Sequence, residues 1–137
     1  MAENLEKQII LSYNDPQSPY FLSSSDHPGY IINPVILNGD NYGNWSRLLV
    51  NALKSKNKLG FVNGKLEKPS TAPDVHAWEK CDSMVMAWLY NVIDKALHGS
   101  VAYANTAREV WIDLEERYSQ RNSIRIHQLN QEMSLVG

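Results

Sequence analysis

The feature that most constrains the fold of this chain is the spacing of its apolar residues, which recur every three or four positions along several segments. The first segment places five residues on one face of an α-helix, at i, i+3, i+4, i+7 and i+8: Trp45, Leu48, Leu49, Ala52 and Leu53. Asp40 is the expected N-terminal cap of this helix, and Gly60 is the expected stop.

Further stripes of the same period predict more helices downstream. One helix is expected to begin near Pro73 or Asp74, and Asp94 is positioned to cap a short helix that follows it. Thr106-Ala107-Arg108-Glu109 matches a capping box and predicts another helix start. A final stripe runs through Ile126, Leu129, Met133 and Val136. Two short β-prone runs on either side of Pro34 favour an extended arm or an edge strand. We therefore predict an all-α fold of about five helices with an extended N-terminal arm.

The apolar faces of these helices define the predicted core. Its members are Tyr42, Trp45, Leu49, Leu53, Phe61, Trp78, Val85, Trp88, Leu89, Val110, Trp111, Leu114 and Tyr118. The four tryptophans belong to this set because they lie on apolar stripes, whereas a platform for stacking nucleic-acid bases needs exposed aromatic rings beside a basic groove. Contact with a protein partner is the second interpretation of these tryptophans.

Composition and charge exclude several classes of protein. The 137 residues suggest one domain, and 13 basic against 15 acidic residues give a net charge of -2, which does not favour an electrostatic grip on nucleic acid. The N-terminus does not resemble a secretory signal, and no apolar run is long enough to span a membrane. A single cysteine, Cys81, fits a reducing compartment, so a cytoplasmic location is expected.

The sequence contains no recognisable catalytic, cofactor-binding or metal-binding constellation. Four histidines and Cys81 lack the spacings of metal ligands. His76 lies five residues before Cys81, about 140° around the same helix, which is a poor geometry for a nucleophile and its base. We therefore predict no catalytic residues, no metal and no cofactor, and we expect that the protein is not an enzyme.

The order of several motifs resembles the N-terminal region of plant copia-type retrotransposon Gag polyproteins. The motifs are Ser-Pro-Tyr-Phe-Leu from residue 18, Leu-Asn-Gly-Asp-Asn-Tyr-Gly-Asn-Trp-Ser-Arg from residue 37, Lys-Asn-Lys-Leu-Gly-Phe-Val-Asn-Gly from residue 56, and Leu-Glu-Glu-Arg-Tyr-Ser-Gln from residue 114. Together with the segments between them, the similarity extends over about residues 18–133 in unbroken order.

This resemblance implies a capsid-like helical domain with a non-enzymatic role in assembling a particle shell. The implied partners are further copies of the chain or other Gag chains, without a membrane. Nucleic acid would be bound only through a zinc knuckle, which this chain lacks. Residues 1–29 are expected to be a flexible lead-in, and residues 30–137 the helical domain, truncated at its C-terminus. The alternative function is a host-retained adaptor domain that binds a cellular protein.

The final stripe is a candidate self-association surface. Ile126, Leu129, Met133 and Val136 share one face of a predicted helix of about 13 residues, which is marginally stable in water without a partner. From the sequence, this helix can pair with a second copy, fold back on the preceding helices, or fray. Pairing between copies would place the same stripe on both sides and would favour dimers.

Overall fold

The computed structural model describes residues 13–119, and this part of the chain is mainly helical, without a named strand. The elements are α1 (Tyr42–Ser55), α2 (Gly60–Asn63), α3 (Asp74–Asn91), a 3-10 helix (Lys95–Leu97), α4 (His98–Val101) and α5, which comprises the helical residues 107–119. The predicted all-α fold is therefore confirmed. The stripe of Ile126, Leu129, Met133 and Val136 lies outside the described residues.

The start of α1 differs from the prediction. The helix begins at Tyr42 after Asn41, and no side chain caps it, so the prediction of Asp40 as cap was wrong. Asn41 instead organises the preceding loop, because its side chain accepts from the Asn38 amide (3.0 Å) and donates to the Ile36 carbonyl (2.9 Å). Leu48 also departs from the predicted face, since 41% of it is exposed.

The end of α1 is set by an asparagine rather than by the predicted glycine. Asn57 adopts a left-handed conformation with φ 56°, and the Lys58 amide then donates to the Leu53 carbonyl (2.8 Å). Asparagine tolerates this conformation better than most residues, so Gly60 is not needed there. Gly60 begins α2 instead, and Gly64 ends α2 with φ 80°.

The extended arm before α1 contacts the chain that follows α3. Leu37 forms an isolated parallel bridge with Ile93. The Leu37 amide donates to the Val92 carbonyl (2.8 Å), and the Asp94 amide donates to the Leu37 carbonyl (2.9 Å). Asp94 then accepts a hydrogen bond from the Ala96 amide (3.0 Å) and caps the 3-10 helix, as predicted.

The predicted capping box opens α5, with one difference. Thr106 accepts from the Glu109 amide (3.1 Å), but the Glu109 carboxylate accepts from the Asn105 amide (2.6 Å) rather than from Thr106 itself. The sequence analysis missed Asp82, which is buried in α3 and accepts from the Ala107 amide (3.1 Å). A carboxylate from another helix therefore binds one of the free donors at the N-terminus of α5.

Residues 17–30, which we call the strap, lie against the end of α1 and against α3. The Trp88 indole donates to the His27 carbonyl (2.9 Å), and the Asn57 amide group donates to the Gln17 carbonyl (2.6 Å). The boundary between a lead-in and a domain at residue 29 stays a prediction. These bonds nevertheless join the described part of the expected lead-in to the helices.

Candidate interaction surface

The core is built from the inward faces of α1, α3 and α5 and from α2. Every residue that the sequence analysis assigned to the core is buried: Tyr42, Trp45, Leu49, Leu53, Phe61, Trp78, Val85, Trp88, Leu89, Val110, Trp111, Leu114 and Tyr118. Further buried residues complete it, namely Leu37, Val62, Cys81, Val92, Ile93, Val101 and Ala107. Leu37, Val92 and Ile93 lie between helices, so the connecting segments also contribute to the packing.

An aromatic stack joins α1 to α5 at the centre of the core. The rings of Trp45 and Trp111 stack with centroids 5.8 Å apart, and Tyr42 lies 6.1 Å from Trp45. The Trp45 indole donates to the Val92 carbonyl (3.0 Å), which joins α1 to the end of α3 as well. Because buried indoles need a partner for their N–H group, this bond allows Trp45 to be fully buried.

The other two tryptophans contact the connecting segments. Trp78 donates to the Leu66 carbonyl (3.2 Å) and packs against Phe61, with ring centroids 5.9 Å apart. Trp88 donates to His27 in the strap and contacts the ring of Tyr30, whose centroid is 6.0 Å away. These indoles face the protein interior, so the structure offers none of the four as an exposed platform for bases.

A buried lysine is the polar core residue that the sequence analysis missed. Lys58 is 1% exposed, and its ammonium group donates to the carbonyls of Phe21 (2.6 Å) and Lys56 (3.4 Å). Burial lowers the pKa of Lys58, while the nearby Cys81 and Asp26 oppose that shift. Several lysines lie near the end of α1, and the spacing of apolar residues does not show which of them is buried. The one local signal is that Lys58 directly follows Asn57, where the chain turns.

Two further titratable groups in the core, Cys81 and Asp82, both have a raised pKa. Burial raises the pKa of the Cys81 thiol, which donates to the Tyr20 carbonyl (3.4 Å). Burial also raises the pKa of Asp82, and the hydrogen bond from Ala107 only partly offsets the effect. Both groups are used in packing the helices. In residues 13–119 there is no cluster of three or more histidine, cysteine, aspartate or glutamate side chains that could hold a metal ion.

One surface depression runs between α1 and α5. It has a volume of about 380 Å³ and is lined by Tyr42, Ser46, Arg47, Val50, Trp111 and Glu115. Burial and the Glu115 charge raise the pKa of Tyr42 to about 12, so its phenol is neutral at physiological pH. A second depression of about 490 Å³ continues past Arg47 along Asn44, Leu48 and Asn51. This outer groove therefore offers aromatic and aliphatic walls together with one cation and one anion.

Large apolar side chains are exposed at separate places on the described surface. Tyr103 is 94% exposed in the turn before α5, Leu48 lies on the outer side of α1, and Ile31 and Ile36 lie in the arm. No helix in the described range is long and apolar enough to span a lipid bilayer. The exposed apolar groups are thus arranged around a helical body.

The described residues form a helical module, and comparison with known families identifies the family to which it belongs. A family model described as gag-polypeptide of LTR copia-type matches residues 50–134, and a second, described as Gag-polypeptide of LTR copia-type, matches residues 23–70. The chain belongs to the copia-type Gag family, and the resemblance found in the sequence is confirmed. No curated protein and no solved structure matches the chain.

Proposed function

We propose that this chain is a shell-building unit that associates with further copies of itself, or with other Gag chains, through the C-terminal apolar stripe. The observation that carries the proposal is the extent of the family match, which begins inside α1 and continues to residue 134. The match thus includes the folded helices together with Ile126, Leu129 and Met133. Membership of the family makes the chain a Gag-type structural module.

The physical support comes from the apolar residues at helical spacing. A helix of about 13 residues needs a packing partner to persist in water, and the same stripe on a second copy provides one. The role is non-enzymatic, since the buried polar groups Lys58 and Asp82 are used to join the chain's own segments. We expect assembly in the cytoplasm, where the free thiol of Cys81 stays reduced.

The test is sedimentation velocity of the full chain over a range of concentrations. The double variant Leu129→Asp, Met133→Asp places two charges on the stripe. The matched control is Gln128→Asp, Gln131→Asp, which adds the same charge at positions that a helix would place opposite the stripe. The parent and the control should form faster-sedimenting species as concentration rises, whereas the stripe variant should remain a monomer.

One result contradicts the proposal directly. If all three proteins sediment as folded monomers at the highest concentration, the stripe is not an assembly surface. The adaptor function, in which the domain binds a different protein, would then be the better account. Far-ultraviolet circular dichroism of the three proteins shows whether the variants have kept their helices.

A further inference from the structure

The strap is a run of local turns that closes its own backbone hydrogen bonds. The Phe21 amide donates to Ser18 (3.1 Å), the Asp26 amide to Ser23 (3.0 Å) and the Tyr30 amide to His27 (3.0 Å). Ser23 is held in addition by the Asp26 carboxylate (2.9 Å). Because these bonds connect residues only three apart, the strap has the character of a preformed unit that docks on the helices.

Side chains of the helical body hold the strap, and most of them bind its backbone carbonyls. Lys58 donates to Phe21 (2.6 Å), and Asn91 donates to Pro28 (2.6 Å) and to Tyr30 (3.3 Å). The Trp88 and Asn57 bonds described above follow the same pattern. Each of these donors needs only a backbone carbonyl at a fixed position. The strap of a second copy can therefore supply the same acceptors.

One charged contact fixes the register of the strap. Lys56 lies 2.6 Å from the Asp26 carboxylate, and its ammonium group lies 4.4 Å from the ring centre of Tyr30. It also lies 5.4 Å from the ring centre of Trp88. Burial opposes ionisation of Asp26, but hydrogen bonds from Lys56 and Ser23 and the Lys56 charge outweigh it, so the pKa of Asp26 is lowered. The lysine therefore connects the strap to α3.

A short tether, residues 31–36, connects the strap to the rest of the chain. Its two ends carry exposed isoleucines, Ile31 at 57% and Ile36 at 48%. Pro34 lies between them, next to Asn33, which is buried and bonds the backbone of Val35 through its side chain. Ile32 and Val35 pack partly against the core, so the tether must leave these contacts before it can extend. Leu37, immediately after the tether, is fixed to Val92 and Asp94. If fully extended, six residues span roughly 20 Å, which is enough to carry the strap onto a neighbouring molecule.

We propose that two copies of this chain exchange their straps, so that the strap of each copy docks on α3 and on the end of α1 of the other. The bonds that residues 17–30 make to α3 and to the end of α1 are all available in the exchanged dimer, whereas the contacts of Asn33, Ile32 and Val35 in the tether must open. Such a dimer adds burial of Ile31 and Ile36, which a single copy leaves in water. The exchanged dimer is separate from the contact through the C-terminal stripe.

This inference rests on the proposed function in one respect, namely that copies of the chain meet at high local concentration. The test uses the chain's single cysteine. The thiol of Cys81 donates to the backbone carbonyl of Tyr20 (3.4 Å), so residue 20 is the strap position nearest this thiol by hydrogen bonding, and Tyr20→Cys introduces a second thiol there. The full-length variant is unfolded in denaturant, refolded at high concentration, oxidised, and separated by size into monomer and dimer fractions.

The two fractions should differ on a non-reducing gel. Chains from the monomer fraction should carry the 20–81 disulfide internally and run as single chains. Chains from the dimer fraction should run as covalent dimers, because the strap thiol of one copy lies beside Cys81 of the other. Peptide mapping identifies the linkage. A dimer fraction whose chains are bridged internally, or a refolded sample that contains no dimer, overturns the proposal.

A second pair protects the test against misfolding of the first variant. Pro28→Cys with Asn91→Cys, in a Cys81→Ser background, joins a strap position to the α3 residue that binds its carbonyl, so the disulfide takes the place of the hydrogen bonds that Asn91 makes. The same gel outcomes apply to this pair. Repeating the experiment with Leu129→Asp and Met133→Asp separates the two proposals. Strap exchange predicts covalent dimers there as well, whereas assembly through the stripe alone predicts none.

Discussion

Replacement of Trp45 by alanine should strongly destabilise the domain. Trp45 is fully buried, stacks on Trp111 and donates to the Val92 carbonyl. Truncating a buried tryptophan to alanine costs about 3–5 kcal/mol, of which an aromatic pair accounts for about 0.5–1.5 kcal/mol. The Val92 carbonyl also accepts from the Leu37 amide (2.8 Å), so the change leaves no buried acceptor without a donor. We therefore expect the cost to stay within that range.

The assay is urea unfolding followed by far-ultraviolet circular dichroism, which does not depend on the fluorescence of the residue replaced. With a denaturant dependence of about 1–3 kcal/mol per molar, a loss of 3–5 kcal/mol lowers the midpoint by about 2 M. Trp45→Phe keeps an aromatic ring but loses the hydrogen bond, and it should fall between the parent and the alanine variant. Tyr103→Ala, at a position 94% exposed, should change the free energy of unfolding by less than about 0.5 kcal/mol.

A loss below about 1 kcal/mol for Trp45→Ala would refute the reasoning. It would mean that the stack between α1 and α5 does not hold the helices together. Equal losses of unfolding free energy for Trp45→Ala and Tyr103→Ala would also refute it, because a buried and an exposed side chain would then contribute equally to stability. Parent and variants must share the same denaturant dependence for the comparison to apply.

Three further outcomes are expected. Asp82→Asn should make the free energy of unfolding less dependent on pH. The pKa of Asp82 is higher in the folded than in the unfolded chain, so the parent loses stability as the pH rises from the unfolded toward the folded pKa. Asp82→Ala should cost about 1–3 kcal/mol, because the buried Ala107 amide loses its acceptor; both variants are checked by thermal melts across pH. Asp26 has a lowered pKa, so its contribution should disappear as pH falls below its usual value of 3.8, and Lys56→Met should remove part of that acid sensitivity in the same melts. Filter binding in a salt titration should show no sub-micromolar affinity for RNA at physiological salt, given the net charge of -2.

Helices with an apolar stripe could be predicted from the sequence with good boundaries. The helix expected near Pro73 or Asp74 begins at Asp74, and the capping box opens α5 where Thr106 and Glu109 indicated. In these elements the local capping signals and the apolar stripes that face the core mark the same helix. The copia-type family could be recognised for a related reason. Its motifs include helix starts, helix ends and apolar anchors, and they occur in this chain in the same order as in the family.

The errors arise where tertiary contacts decide between local alternatives. Gly60 is a good helix stop by composition, yet Asn57 ends the helix because the chain must turn there to bury Lys58. Leu48 satisfies the helical spacing but lies at the edge of the stripe, where the elements between residues 13 and 119 leave 41% of it exposed. Neither Lys58 nor Asp82 could be assigned to the interior, since their partners, Phe21 and Ala107, lie far away in the sequence.

The hydrogen bonds of three indole N–H groups make it possible to follow three local opening motions of this domain by hydrogen exchange. The N–H of Trp88 is protected by the strap, that of Trp78 by the loop carbonyl of Leu66, and that of Trp45 by the carbonyl at the end of α3. Each proton can exchange with solvent deuterium only when its own segment moves away. The exchange rate of Trp88 therefore reports departure of the strap, that of Trp78 reports opening of the loop, and that of Trp45 reports separation of α1 from the end of α3.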